Sequence, residues 1–122
     1  MPRAERTARA NAGARAEALA AEFLVGHGLA IAARNFRTRL GEIDLVARER
    51  DTLVFVEVRY RATSAFGGAA ASITAAKRAR MRAAANAYLA TLHRVPACRF
   101  DAVLLDALAP AHITWVRDIL ED

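Results

Sequence analysis

The pattern of apolar and polar positions divides the chain into helical and extended stretches. Ala16, Leu19, Ala20, Phe23 and Leu24 form one stripe at helical spacing, and Gly28 follows as a residue suited to a left-handed cap. A helix over about 13–27 is predicted, preceded by an N-terminal arm (1–12) that is frayed or helical. Residues 30–38 read as a short edge strand with Asn35 and Arg37 exposed. Residues 42–47 alternate, Glu49-Arg50-Asp51-Thr52 turns the chain, and residues 53–61 return it as the second arm of a β-hairpin. Residues 62–72 carry Gly67-Gly68 among mostly small side chains, and a mobile loop is expected there. Met81, Ala84, Ala85, Tyr88, Leu89 and Leu92 mark a second helix over about 74–92. Pro96 marks its exit, residues 99–105 read as a buried strand, and 113–120 as a last strand or short helix. The order α-β-β-β-α-β plus one further element predicts an α/β fold, a sheet covered by helices.

A chain of 122 residues corresponds to a single domain over 1–122. Hydrophobic residues make up 55%, but 31 are alanine, so bulky core residues are scarce and support about one sheet covered by one or two helices. The lone Cys98 has no partner for an internal disulfide, which suits a reducing, cytoplasmic setting. It opens an apolar run and is read as a small buried residue. No apolar run approaches the ~20 residues of a membrane-spanning helix, so no membrane role is expected. The N-terminus is rich in Arg and Ala like a transit peptide, but Glu5 and Glu17 interrupt that pattern.

Charge changes the picture more. The formal net charge is +5, yet residues 58–100 contain no acid and eight cations: Arg59, Arg61, Lys77, Arg78, Arg80, Arg82, Arg94 and Arg99. A field of one sign works against compaction, and a polyanionic partner, nucleic acid, explains it economically. A solvated helix face in an Arg-rich sequence is the plainer alternative. Of 18 basic residues only Lys77 is lysine, a bias that can turn a functional lysine into arginine.

The hairpin carries the chemistry. With Arg50 and Asp51 at the turn, Asp44 falls opposite Glu57, on the face shared by Leu53, Phe55, Arg59 and Glu42. Opposed carboxylates repel, and Glu57 lies within Leu53-Val54-Phe55-Val56-Glu57-Val58, the most apolar stretch of the chain. Such an acid needs a cation. A divalent metal between Asp44 and Glu57 is one answer; an ion pair with Arg59 is the other. A one-residue slip of register would instead send one acid into water. His27, His93 and His112 have no metal-ligand spacing, and neither a Gly-rich phosphate loop nor a nucleophile elbow is present.

Asp44 followed by Glu57-Val58-Arg59 resembles the PD-(D/E)xK nuclease motif. Gly41-Glu42-Ile43-Asp44-Leu45-Val46 with Phe55-Val56-Glu57-Val58-Arg59 more closely resembles the YraN family, small bacterial proteins related in fold to Holliday-junction resolvases. Glu17-Ala18-Leu19-Ala20, Arg34-Asn35-Phe36-Arg37, Phe66-Gly67, Lys77-Arg78 and Arg99-Phe100-Asp101-Ala102-Val103 extend the likeness over nearly the whole chain. The resemblance implies a restriction-endonuclease-like mixed sheet flanked by helices, with Asp44 and Glu57 as metal ligands and Glu17 completing the site. The motif lysine falls on Arg59, which keeps the positive charge but cannot act as a base. Lys77, one turn before Met81, is a candidate substitute, or a solvated helix residue. Ile43 stands where the motif has proline. Asp101 either supports the site or pairs with Arg99.

The sequence therefore predicts a metal-dependent endonuclease that hydrolyses phosphodiesters, with Mg²⁺ or Mn²⁺ as cofactor. Glu17, Asp44, Glu57 and Arg59 are the catalytic candidates. Arg61, Lys77, Arg78 and Arg82 are the candidates for gripping nucleic acid, DNA in the first instance. Branched DNA would call for a homodimer. The rivals are a catalytically inactive nucleic-acid-binding module of the same fold, and a protein-interaction domain with an acidic partner.

Overall fold

A computed structural model describes residues 3–63 and 68–120. Helix α1 (Arg3–Gly26) leads into three antiparallel strands, β1 (Ala30–Arg37), β2 (Glu42–Glu49) and β3 (Thr52–Tyr60). A short helix α2 (Gly68–Ala71) and helix α3 (Ala75–Leu89) then carry the chain back to β4 (Ala97–Leu105), which lies parallel to β3. A 3₁₀ turn (Pro110–His112) precedes β5 (Ile113–Val116), antiparallel to β4. The sheet runs β1-β2-β3-β4-β5, so β1 is an edge strand as its exposed Asn35 and Arg37 suggested. This is the mixed α/β sheet flanked by helices that was expected, open rather than closed into a barrel.

The two helices seal opposite faces. Ala16, Ala20 and Leu24 of α1 pack with Leu45, Val54, Val56 and Val103. Met81, Ala84 and Ala85 of α3 pack with Ile43, Val46, Leu53 and Phe55. Alternation along β3 thus assigns even residues to α1 and odd residues to α3, which turns Glu57 toward α3. Small side chains on both helical stripes let the helices sit close to the sheet, where an alanine-rich chain can still exclude water.

Local signals explain the ends. Gly28 adopts φ 93°, and Leu29 N donates to Leu24 O (3.0 Å), the left-handed cap that its sequence context predicted. Thr74 caps α3, its hydroxyl accepting from Lys77 N (3.2 Å), so Lys77 is held in the first turn. The β2–β3 turn uses Arg50 at φ 54° in place of the glycine or asparagine usual there.

Of the two readings of the arm over 1–12, the helical one holds, continuous with α1 from Arg3 onward. Three expectations need correction. The loop over 62–72 contains helix α2, while Phe66 and Gly67 lie outside the described residues. Helix α3 ends at Leu89, three residues early, although Leu92 still packs on the α3-side core. Cys98 is exposed, because it sits near the start of β4 before the strand reaches the core.

Gly41 joins β1 to β2 where a side chain has no room: a Cβ there would collide with the backbone carbonyl of Arg80 in α3. Thr38 stiffens this turn, its hydroxyl accepting from Leu40 N and Gly41 N (3.1 Å each) and donating to Gly41 O (2.9 Å). Gly41→Ala is expected to destabilise the protein by about 1–3 kcal/mol, as overpacking does. Urea unfolding checks this; an unchanged midpoint would show that the contact is not tight.

Candidate functional site

The hairpin pairs with the register read from sequence, through Glu49↔Thr52 to Leu45↔Val56. There regular pairing stops. Ile43 belongs to the α3-side core and Leu45 to the α1-side core, so β2 twists at Asp44. The Asp44 carboxylate takes over from the backbone ladder: its Oδ2 accepts from Val58 N at 2.8 Å. Asp44 and Glu57 are therefore brought together, but at a splayed strand end rather than as a flat cross-strand pair. Glu42 shares the cavity through the same twist.

The cavity, about 840 Å³, lies where β2 and β3 separate between α1 and α3. Glu17, Glu42, Asp44 and Glu57 line it, with Arg9, Arg59, Arg61 and Lys77 around them. Glu17 reaches it from α1 and is held by Asn35. In the amide orientation that satisfies both groups, Asn35 Nδ2 donates to Glu17 Oε1 and Oε2 (3.0 and 3.3 Å). Asn35 itself has φ 51°, left-handed backbone within an edge strand, which asparagine tolerates better than most residues.

Glu57 is the anomaly of the structure. Its side chain is 1% exposed, and neither carboxylate oxygen makes a hydrogen bond among the described residues. Lys77 Nζ approaches Oε1 to 3.3 Å and Arg59 Nη1 to 3.6 Å, as ion contacts without hydrogen-bond alignment. Burial, then the neighbouring Asp44 charge, push the Glu57 pKa up to about 8, against the pull of Lys77 and Arg59. Asp44 is raised by burial despite the Val58 amide, and Glu17 by burial and then by Asp44. Three neighbouring acids thus hold their protons more tightly than usual, chiefly because burial disfavours their charged forms.

Asp101, the other fully buried carboxylate, shows what satisfaction looks like. It accepts from Arg99 Nε, Trp115 Nε1 and Asp118 N, each at 3.0 Å. It is paired with Val56 in the β3–β4 register and so belongs to the α1 side of the sheet, away from Glu57. Of the two roles open to Asp101, the structure takes the structural one.

Arg59 is only partly available. Its Nε donates to Ser72 Oγ (2.9 Å) and its Nη2 to Ser72 O (3.3 Å), fastening β3 to the segment before α3. That leaves Lys77 as the cation nearest to Glu57. Arg61 lines the cavity, whereas Arg78 and Arg82 do not, and Arg82 donates to Leu120 O (3.1 Å). No group of three or more His, Cys, Asp or Glu close enough to hold a metal occurs among the described residues. Two carboxylates with the remaining positions filled by water or phosphate is the arrangement Mg²⁺ commonly takes. Asp44 and Glu57, whose Oε2 carries no ion contact among the described residues, fit it.

The family model for "Uncharacterised protein family UPF0102" matches residues 16–105, a range that holds Glu17, Asp44, Glu57, Arg59 and Lys77. The chain belongs to the UPF0102 family. This is the YraN family that the hairpin motif resembled. A UPF0102 protein of Nitrosomonas europaea is 49% identical over 112 residues, spanning 92% of this chain and 95% of the relative. One from Nitrosospira multiformis is 48% identical over 109 residues (89% and 92%), and one from Cupriavidus pinatubonensis 55% over 106 (86% and 81%). No described helix is long and apolar enough to cross a membrane.

Two residues of this UPF0102 site had only indirect sequence signals. Asn35, an asparagine inside a strand pattern, hinted at left-handed backbone but not at its hold on Glu17. Ser72, in a stretch read as loop, gave no sign that it would anchor Arg59.

Proposed function

We propose that this chain is a metal-dependent nuclease that hydrolyses phosphodiester bonds in DNA, with Asp44 and Glu57 holding Mg²⁺ or Mn²⁺. The observation that carries the reading is the buried Glu57, whose oxygens have no hydrogen bond and whose neighbour is a second acid. A divalent ion bound there would supply Lewis-acid activation of water and charge neutralisation at the phosphate. Asp44 stays oriented because Val58 N–H fixes one of its oxygens, leaving the other for a ligand. Glu17, steadied by Asn35, has the raised proton affinity of a group that can exchange a proton with water or a leaving oxygen. Lys77 supplies the mobile positive charge of the motif from α3, while Arg59, fastened to Ser72, contributes a fixed one. Lys77 is thereby the residue that offsets the missing motif lysine.

The test is cleavage of supercoiled and four-way-junction DNA by the purified protein with Mg²⁺ or Mn²⁺, against EDTA. Metal-dependent nicking supports the reading. Salt-sensitive binding without cleavage favours a second reading, a binding module that kept the fold and lost the chemistry. One contact favours that alternative: Lys77 already sits 3.3 Å from Glu57, a partial neutralisation that needs no metal.

A further inference from the structure

Beside the carboxylate cavity lies a second hollow of about 390 Å³, between the β1–β2 turn and the first half of α3. Arg37, Arg39, Lys77 and Arg80 line it, against the single carboxylate of Glu42. Glu42 is already engaged by Arg37 (3.3 Å), and Lys77 by Glu57. Arg39 and Arg80 are exposed and have no acidic partner among the described residues. Arg99 and Arg117, by contrast, both engage Glu49 (2.8 and 3.2 Å). Around this hollow Arg37, Arg39, Lys77 and Arg80 meet the one carboxylate of Glu42.

The gathering is built in. Gly41 seats the turn directly on the Arg80 carbonyl, and Thr38 stiffens the turn, so Arg37, Arg39 and Arg80 converge through fixed backbone. Arg80 lies three residues after Lys77, hence on the same side of α3. The hollow shares Lys77 and Glu42 with the carboxylate cavity, and that cavity carries Arg9 and Arg61 on its rim. Cations therefore line both hollows, which share Lys77 and Glu42.

We infer that this hollow is a phosphate-backbone site, with Arg39 and Arg80 as its principal contacts, guiding a nucleic-acid strand across Lys77 into the carboxylate cavity. The inference rests on the nuclease reading for its ligand class but not on catalysis. It also moves the grip away from Arg78 and Arg82, which line neither hollow. Guanidinium groups suit phosphate oxygens through bidentate contact, and such contacts bind without reading sequence.

Fluorescence anisotropy of a labelled DNA duplex in EDTA, across a salt series, tests it with the full chain. Arg39→Glu with Arg80→Glu is compared with Arg50→Glu with Arg94→Glu, an equal charge change at exposed positions elsewhere. The first pair is expected to weaken binding at least about thirtyfold and the control pair no more than about threefold. Arg39→Ala with Arg80→Ala should lower the slope of log affinity against log salt by about 1.8, two contacts' worth. Melting curves verify that each variant folds. Equal losses in both pairs would overturn the site, as would unchanged affinity in the first. If those variants still cleave DNA, the nuclease reading survives that result. Wild-type protein that binds no nucleic acid at low salt would overturn both.

Discussion

Under the proposed nuclease function, asparagine in place of Asp44 is expected to cut DNA cleavage by about a thousandfold or more while leaving the fold intact. The two consequences separate because Asp44 does two things. Its Oδ2 accepts the Val58 N–H, and an amide oxygen can do the same, so the splayed end of the hairpin keeps its bond. What asparagine lacks is negative charge, and the proposed metal site, losing one of its two carboxylates, would lose its hold on the ion and on the water the ion would activate. Removing that charge also lessens the repulsion that pushes the Glu57 pKa up. The variant should consequently be at least as stable as the parent, the trade of stability for function common at active sites. Single-turnover cleavage with Mn²⁺, beside a urea melt, reads both outcomes. Full activity in this variant would remove Asp44 from the chemistry.

The second large effect is on stability. A carboxyl that binds its proton more tightly when folded stabilises the protein fully below its unfolded pKa, near 4.5. That contribution is lost as pH rises through the folded pKa, about 8 for Glu57. Without divalent metal, stability should therefore fall between pH 5 and pH 8, at up to about 1.4 kcal/mol per pH unit from this group. Asp44 and Glu17, also raised, add in the same direction. Glu57→Gln removes the largest contributor. The variant should show a flatter profile and gain about 2–3 kcal/mol over wild type at pH 9, with little advantage at pH 5. Urea midpoints in EDTA from pH 5 to 9 measure this, and parallel profiles for the two proteins would contradict it. Adding Mn²⁺ should restore wild type at high pH, by stabilisation through binding to the folded state, and should leave the variant unchanged.

Much of the architecture was legible because local patterns agreed with one another. The 3.6-residue stripes of α1 and α3 and the two-residue period of β3 matched the faces they bury. Gly28 marked the end of α1 through its cap, and the two-residue turn at Arg50-Asp51 fixed the β2–β3 register. The pairing of Asp44 with Glu57 was therefore foreseeable to within one rung. What could not be read was the twist at Asp44. It shows in the change of face between Ile43 and Leu45 and in the Asp44 side chain accepting from Val58 N where the backbone ladder stops. Cys98 was misplaced because an apolar run says nothing about where its strand leaves the core. The basic residues were the hardest to assign. Of the four candidates their clustering in sequence suggested, Arg61 and Lys77 line the carboxylate cavity, while Arg78 and Arg82 line neither hollow because they lie on other sides of α3.

The carboxylate pair as a metal site is the claim on which the chemistry rests, and anomalous scattering from crystals soaked in Mn²⁺ addresses it without relying on activity. A single strong peak bridging Asp44 and Glu57, with Lys77 Nζ withdrawn from Glu57 Oε1, is the predicted result. A site with no peak at millimolar Mn²⁺, and Lys77 still seated on Glu57, would contradict the account.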